Sequence, residues 1–386
     1  MAGELPAVPW AVPLIVCGID EAGYGPLLGP LCVSMATLRI EDWNEGDRAP
    51  DLWKLLGKAV ARAGTAVPAA ATAAVKKKSS AKRASVGRIL VDDSKKLKLS
   101  NDGKRHPLTH LERGVLSFLL CKDGVDGPDL PASDAAMLRA LNVQIPTQEW
   151  YHPDASACPC ACTAGELLIG TNVLRGAMAD AGVSCLAMNC RAMCEREFNE
   201  VVHAAGTKAA ATEAALVSHL WYAWEQWGKR EGIEGAREEG IERKEEERGA
   251  GEGGGSGRAT SLRVVCDRQG GRTQYGGMLS RAFPEARVAT LEERPERCRY
   301  EVASRERAMV VQFMPEAESF HMPVALASMT AKLVRETLMG RFNRYWNARL
   351  PELKPTAGYR QDGWRWLNDA AAVLTGAERE GMIRRA

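Results

Sequence analysis

No stretch of about 18 consecutive apolar residues occurs in the chain, which excludes a hydrophobic helix spanning a bilayer. The opening segment, MAGELPAVPWAVPLIVCGIDEAG, has no basic start, and prolines break its apolar stretch. A secretory signal is therefore not expected. The eleven cysteines have no regular spacing. Without an export signal they are expected as reduced thiols in the cytoplasm. Aromatics are few, at 6% of 386 residues, but 45% of the chain is hydrophobic and 26% charged. This composition excludes wholesale disorder, and the length is ample for a large core. It fits two or three domain-sized units, or one domain carrying large insertions.

The formal net charge of +2 hides two basic regions. From Lys76 to Arg105 there are 11 Lys and Arg against 3 Asp. From Arg258 to Ala386 there are 22 Lys and Arg against 15 Asp and Glu. Such a distribution suggests a face for a polyanion, the alternative being ordinary solvated charge.

Several strands are predicted to end in acids. Leu14-Ile-Val-Cys-Gly-Ile-Asp20 is an apolar run of strand length followed by Glu21. Leu31 to Ile40 suits its partner. Between them, Gly23-Tyr-Gly-Pro-Leu-Leu-Gly-Pro30 requires a tight, specially shaped loop. Arg88-Ile-Leu-Val91 runs into Asp92-Asp-Ser-Lys-Lys96, and Leu262-Arg-Val-Val-Cys-Asp267 is another strand ending in an acid. A further strand is expected near Ala286 to Thr290. Helices are expected over 108–120, 207–227, 274–283 and 324–346. In the second, Leu216, Leu220, Ala223, Trp224 and Trp227 recur at core-facing spacing. In the last, Leu326, Met329, Leu333, Leu338 and Phe342 do the same, and Pro323 suits its first turn. Strands mixed with helices in this order predict an α/β fold. Residues 41–85 (Ala-rich and basic), 121–162 (Cys- and Pro-rich) and 228–260 (charged and Gly-rich) read as insertions in one domain spanning 11–386.

Asp20, Glu21, Asp267 and Glu336 border apolar segments with no obvious His or Cys beside them. Oxygen donors of this kind suit Mg²⁺ or Mn²⁺ rather than zinc. A rival zinc site would draw on Cys158-Pro-Cys-Ala-Cys162, Cys185, Cys190 and Cys194 with His152 or His203. Its spacing fits no standard Cys-x-x-Cys pair, and burial of small side chains explains Cys185 and Cys190 equally well.

Gly18-Ile-Asp-Glu-Ala-Gly-Tyr-Gly-Pro-Leu-Leu-Gly-Pro30 resembles the ribonuclease HII family signature, approximately GIDEAGRGPLAGP. Further resemblances follow in order. Asp93-Ser-Lys-Lys96 is similar to the family's DSKK, and Asp267 follows a strand as its third acid does. Pro323 to Glu336 is similar to PSVAAASILAKVTRD, and Gly358-Tyr359 to a late GY element. The chain resembles a divergent member.

That resemblance implies a ribonuclease H-like fold, a mixed sheet with helices on both faces. It implies hydrolysis of the RNA strand of RNA–DNA hybrids, ribonucleotides embedded in duplex DNA included, leaving 5′-phosphate and 3′-hydroxyl ends, with roles in DNA replication and repair. Two Mn²⁺ or Mg²⁺ ions would be held by Asp20, Glu21, Asp267 and Glu336. Nucleic acid would meet Gly23, Tyr24, Gly25, Ser94, Lys95, Lys96, Lys332 and Tyr359. The implied protein is a cytoplasmic monomer without membrane association.

Two departures carry consequences. Tyr24 replaces an Arg and supplies no charge, so single-ribonucleotide preference is expected to weaken; the alternative is that Tyr24 points away and Arg335 or Arg360 takes over the phosphate. Glu336 replaces an Asp, and Glu316-Ala-Glu replaces Lys-Ala-Asp. The competing class is a relative that binds hybrid nucleic acid without cutting it.

Overall fold

The computed structural model describes residues 13–44, 47–64, 88–101, 103–124, 130–230 and 261–385. The chain opens with a hairpin of β1 (Leu14–Ala22) and β2 (Leu31–Ile40), then α1 (Leu52–Leu55) and the short strands β3 (Val60–Ala61) and β4 (Ile89–Leu90). Next come α2 (Ser94–Leu97), α3 (Thr109–Leu119), α4 (Asp134–Ala140), α5 (Ala164–Asp180) and β5 (Val183–Met193). Helices α6 (Glu195–Ala205) and α7 (Ala209–Trp227) lead to β6 (Leu262–Asp267) and α8 (Gly276–Ala282). Strands β7 (Arg287–Arg294), β8 (Arg297–Ala303) and β9 (Ala308–Met314) precede the long α9 (Met322–Arg349), then α10 (Arg360–Asp369) and α11 (Gly376–Met382).

Seven strands form one sheet in the order β5-β2-β1-β6-β9-β8-β7. The hairpin and its neighbour β5 are antiparallel, while β1, β6 and β9 run parallel. This is the expected α/β architecture, a mixed sheet with helices on both faces. Alternation along β1 explains the layers. Leu14 and Val16 face a core built with α3, α5 and α9, and Cys17 and Ile19 face a second core built with α7 and α8. Gly18 lies on the α9 face. A Cβ there would sit 2.1 Å from the carbonyl carbon of Pro323, so only glycine lets the helix start cross the strand this closely. The edge strand β7 carries Arg287, Glu292, Glu293 and Arg294, and such charges discourage edge-to-edge pairing.

Residues 130–162 correct the expectation of a surface insertion. Trp150 and Tyr151 are buried, and Asp134, at the start of α4, is buried against Arg341 of α9. Met137, Leu138, Leu141 and Val143 join the same core, so the segment is held by apolar packing as well as by this polar anchor. Of 41–85, residues 47–64 contain α1 and β3, and the basic run Lys76 to Arg83 lies outside the described residues. So does most of the 228–260 linker. No helix among the described residues is long and apolar enough to cross a membrane.

Candidate active site

Strands β1 and β6 pair in parallel through Ile19 and Cys266, so Asp20 and Asp267 follow side by side at their carboxyl ends. Asp20 lies on the α9 face and is buried. Its Oδ1 accepts the Glu21 amide at 2.7 Å, and Asp267 Oδ1 accepts the Ala317 amide at 3.1 Å. Ser328 of α9 donates to Ser94 Oγ at 3.0 Å and lies within hydrogen-bonding reach of Asp20. Ser94 therefore sits in the wall of the acid cluster, itself buried.

Charge repulsion marks the cluster. Burial, then Glu21 and Asp267, push the Asp20 carboxyl well above the usual range. Burial and Asp267 push Glu21 up to about 7, against the pull of Lys95. Asp267 is raised by burial. Glu318 is raised by burial and by Asp267. The cluster thus contains an acid that the sequence motifs do not single out. Glu318 sits on the 3-10 turn Ala317–Ser319 between β9 and α9. The available signal is that Glu316-Ala-Glu keeps an acid in the third place of the motif it replaces.

Glu336 stands elsewhere, contrary to the sequence expectation. It lies eight residues beyond Ser328 on α9, about 12 Å along the axis. Lys98 Nζ approaches its Oε1 at 2.8 Å and Lys332 Nζ at 2.9 Å. Burial opposes its ionisation, but the two lysines outweigh that and hold its carboxyl below the ordinary range. Lys332 is mostly buried in this pair, so it is not offered to a ligand. Lys96 pairs with Asp92 at 3.2 Å. Lys95 is the cation whose field reaches Glu21, Asp267 and Glu318.

The glycine loop after β1 is fixed from behind. Gly23 has φ +93°, and a Cβ there would meet Arg335 Cδ and the Pro30 carbonyl at 2.8 Å. Arg335 is buried and donates to the carbonyls of Pro30 (2.7 Å), Leu28 (3.2 Å) and Ala357 (3.0 Å). It is a strut for two loops, not a substitute phosphate ligand. The Leu27 and Leu28 amides both donate to the Gly358 carbonyl. Glu195 Oε1 accepts the Gly29 amide at 3.0 Å and the Tyr151 hydroxyl at 2.6 Å. From this frame Tyr24 and Tyr359 project, 40% and 51% exposed, and Gly25 faces open space.

Among the described residues no three His, Cys, Asp or Glu side chains are already grouped so as to hold a metal ion. The donor set nevertheless suits a hard divalent cation. Four carboxyl groups repel one another with one lysine among them, and a cation would relieve that repulsion. Asp20, Glu21, Asp267 and Glu318 would hold it. The Cys158 to Cys162 segment instead wraps Glu112, whose carboxylate accepts the amides of Cys160, Ala161 and Cys162.

The acid cluster also fixes a pH dependence. Glu21 binds its proton more tightly in the folded chain than at its ordinary value of 4.5. Its contribution is full below that value and is lost as pH rises towards about 7. In EDTA, the melting temperature is expected to fall between ~pH 5 and ~pH 8, with Glu21→Gln flattening part of the fall. Thermal melts of both proteins across this range check it. An identical fall in the variant would remove Glu21 as a cause.

No protein-family model matches the chain, and no curated protein sequence matches it. Among solved structures it is similar to RNase HII from Archaeoglobus fulgidus, determined in complex with PCNA. The identity is 11% and the TM-score 0.37, with 96% of this chain and 94% of that one covered. Against ribonuclease H2 from Pyrococcus horikoshii the identity is 12% and the TM-score 0.36, covering 96% and 93%. Against Bst-RNase HIII in complex with Mn²⁺ the values are 13% and 0.31, covering 96% and 66%.

Proposed function

We propose that the chain is a metal-dependent endoribonuclease that hydrolyses the RNA strand of RNA–DNA hybrids, ribonucleotides embedded in DNA included. The observation that carries this reading is the mutually repelling carboxyl cluster at the ends of β1 and β6, beside a rigidly held glycine loop. When bound, two Mg²⁺ or Mn²⁺ ions supply a more acidic water and charge stabilisation at the leaving 3′-oxygen. Asp20, Glu21, Asp267 and Glu318 hold oxygen donors for them. Gly25 leaves room for the backbone to approach a sugar and its 2′-hydroxyl, the group that separates RNA from DNA. Tyr359 offers an exposed ring to stack on it. Lys95 balances charge where a phosphate meets the acids.

A gel assay tests the reading. A duplex with one embedded ribonucleotide and a continuous hybrid are incubated with Mg²⁺, Mn²⁺ or EDTA. Cleavage requiring metal and leaving 5′-phosphate ends supports it. One observation favours the second reading, binding without turnover: the exposed Tyr24 stands where the resembled motif has a cation. Hybrid binding with no cleavage under either metal would select that reading.

The two candidate fourth acids make opposite predictions. Glu318→Gln is expected to reduce cleavage by ~10²-fold or more, since it removes a charge from the cluster. Glu336→Gln is expected to keep the rate within severalfold and to lower stability, because it leaves Lys98 and Lys332 unbalanced. Parallel single-turnover assays and melts separate the two. Loss of cleavage in Glu336→Gln alone would return the fourth position to α9.

A further inference from the structure

A second cluster of like charge lies behind the glycine loop, apart from the acids. Lys208 caps the start of α7, and its Nζ stands 5.2 Å from the Tyr24 ring centroid and 5.9 Å from that of Phe198. Arg384 packs its guanidinium carbon 4.7 Å from the same Phe198 ring. The backbone around Arg384 is pinned to the loop. Its amide donates to the Leu27 carbonyl at 2.9 Å, and Asn199 holds the Ile383 carbonyl at 2.8 Å. Arg384 is 2% exposed and donates one Nη2 bond to the Pro26 carbonyl, yet its Nε and Nη1 have no partner. Arg360 follows the exposed Tyr359, and its field reaches Lys208. Among the described residues neither Lys208 nor Arg360 forms an ion pair.

Unpaired cations held this close are costly. Burial, then Arg384 and Arg360, depress the Lys208 amine. Burial, then Arg335, bring Arg384 down to about 10. The acid within reach is Glu195, which is buried and already accepts the Tyr151 hydroxyl and the Gly29 amide. Its own carboxyl is raised by burial, which weakens it as a counterion. The 19-residue helix α7 adds the positive end of its dipole at Lys208. Cations that form no ion pair among the described residues, spare buried guanidinium donors and a helix N-terminus together describe an anion site of phosphate character. The exposed rings of Tyr24 and Tyr359 beside it favour a phosphate carried by a nucleic acid strand over a free one.

We propose that Lys208, Arg360 and Arg384 form a phosphate-binding site beside Tyr24 that grips the substrate strand outside the carboxylate cluster. The strand as source rests on the nuclease reading above, whereas the phosphate chemistry does not. Two probes keep them apart, both applied to the full chain in EDTA. Binding of a fluorescent RNA–DNA hybrid is followed by anisotropy against salt, and inorganic pyrophosphate is tested by its effect on the melting temperature.

Lys208→Ala and Arg360→Ala are each expected to weaken hybrid binding roughly 3- to 10-fold and to lower the log–log salt slope by about 0.7–0.9 for each phosphate no longer neutralised. Lys208→Arg is expected to restore most of the affinity, which a merely structural role for the lysine would not predict. Pyrophosphate is expected to raise the melting temperature of the wild type and not of Lys208→Ala. Unchanged affinity and slope in Lys208→Ala and Arg360→Ala, with wild-type binding intact, would overturn the site and leave the nuclease reading standing. Pyrophosphate binding that depends on Lys208, with no hybrid bound, would keep the phosphate site and overturn its nucleic acid source. No response to either probe would overturn both.

Discussion

Asp20→Asn and Asp267→Asn are each expected to reduce cleavage of a ribonucleotide-containing duplex by ~10³-fold or more, while the fold persists. Asn keeps the size of Asp but loses the charge that would hold a divalent ion. Asp20 and Asp267 stand at adjacent strand ends, so removing either opens the middle of the donor set. The same change relieves repulsion. Asp20 is raised by burial, Glu21 and Asp267, so metal-free Asp20→Asn should melt above the wild type at neutral pH. The expected pair of results is therefore loss of single-turnover cleavage in Mn²⁺ together with a higher melting temperature in EDTA. Loss of activity with a lower melting temperature would instead indicate a damaged core. Cleavage at the wild-type rate in either variant would remove the cluster from the chemistry.

What the sequence discloses depends on how local the information is. Asp20, Glu21 and the glycine loop lie within one contiguous motif, so their proximity is legible even though the loop's fixing by Arg335, Gly358 and Glu195 is not. Asp267 is legible for a similar reason, since an apolar run ending in an acid predicts a strand end. Glu318 is hidden because the 3-10 turn that presents it has no periodic signal. Glu336 misleads because helical phase says which side a residue faces but not how far along the axis its partner lies. Lys98, more than 200 positions earlier, decides its environment. Strand β5 is hard to see because it mixes Cys, Asn, Arg and Met. Its pairing with β2 buries Cys185 and Cys190 as small core residues, the alternative to a zinc site that their irregular spacing already offered. The strut Arg335 resembles a phosphate ligand in sequence, since only the folded chain shows three carbonyls around it.

The segment that reads as a surface insertion supplies the second large effect. Arg341→Ala is expected to cost about 3–5 kcal/mol of stability, because it leaves a buried carboxylate without its main partner. Arg341 grips Asp134 through two bonds, Nη2 to Oδ1 at 2.7 Å and Nε to Oδ2 at 3.0 Å, and its Nη1 donates to the Tyr151 carbonyl at 3.0 Å. Arg344 adds a weaker, more exposed contact to Oδ2 at 3.1 Å. Burial opposes ionisation of Asp134, but the Arg341 bonds outweigh it and hold the carboxyl below its ordinary value. Its contribution is therefore present above the ordinary carboxylate range and is lost as pH falls through the lowered value. Wild type and Arg341→Ala should accordingly converge in stability as acid protonates Asp134. Replacing both partners, Asp134→Leu with Arg341→Leu, should recover much of the loss, since an apolar pair leaves no buried charge behind. Urea unfolding at neutral and acid pH reads all three. If Arg341→Ala shifts the midpoint by less than a surface ion pair would, about 1 kcal/mol, then the aromatic packing of Trp150 and Tyr151 holds the segment and the ion pair is incidental.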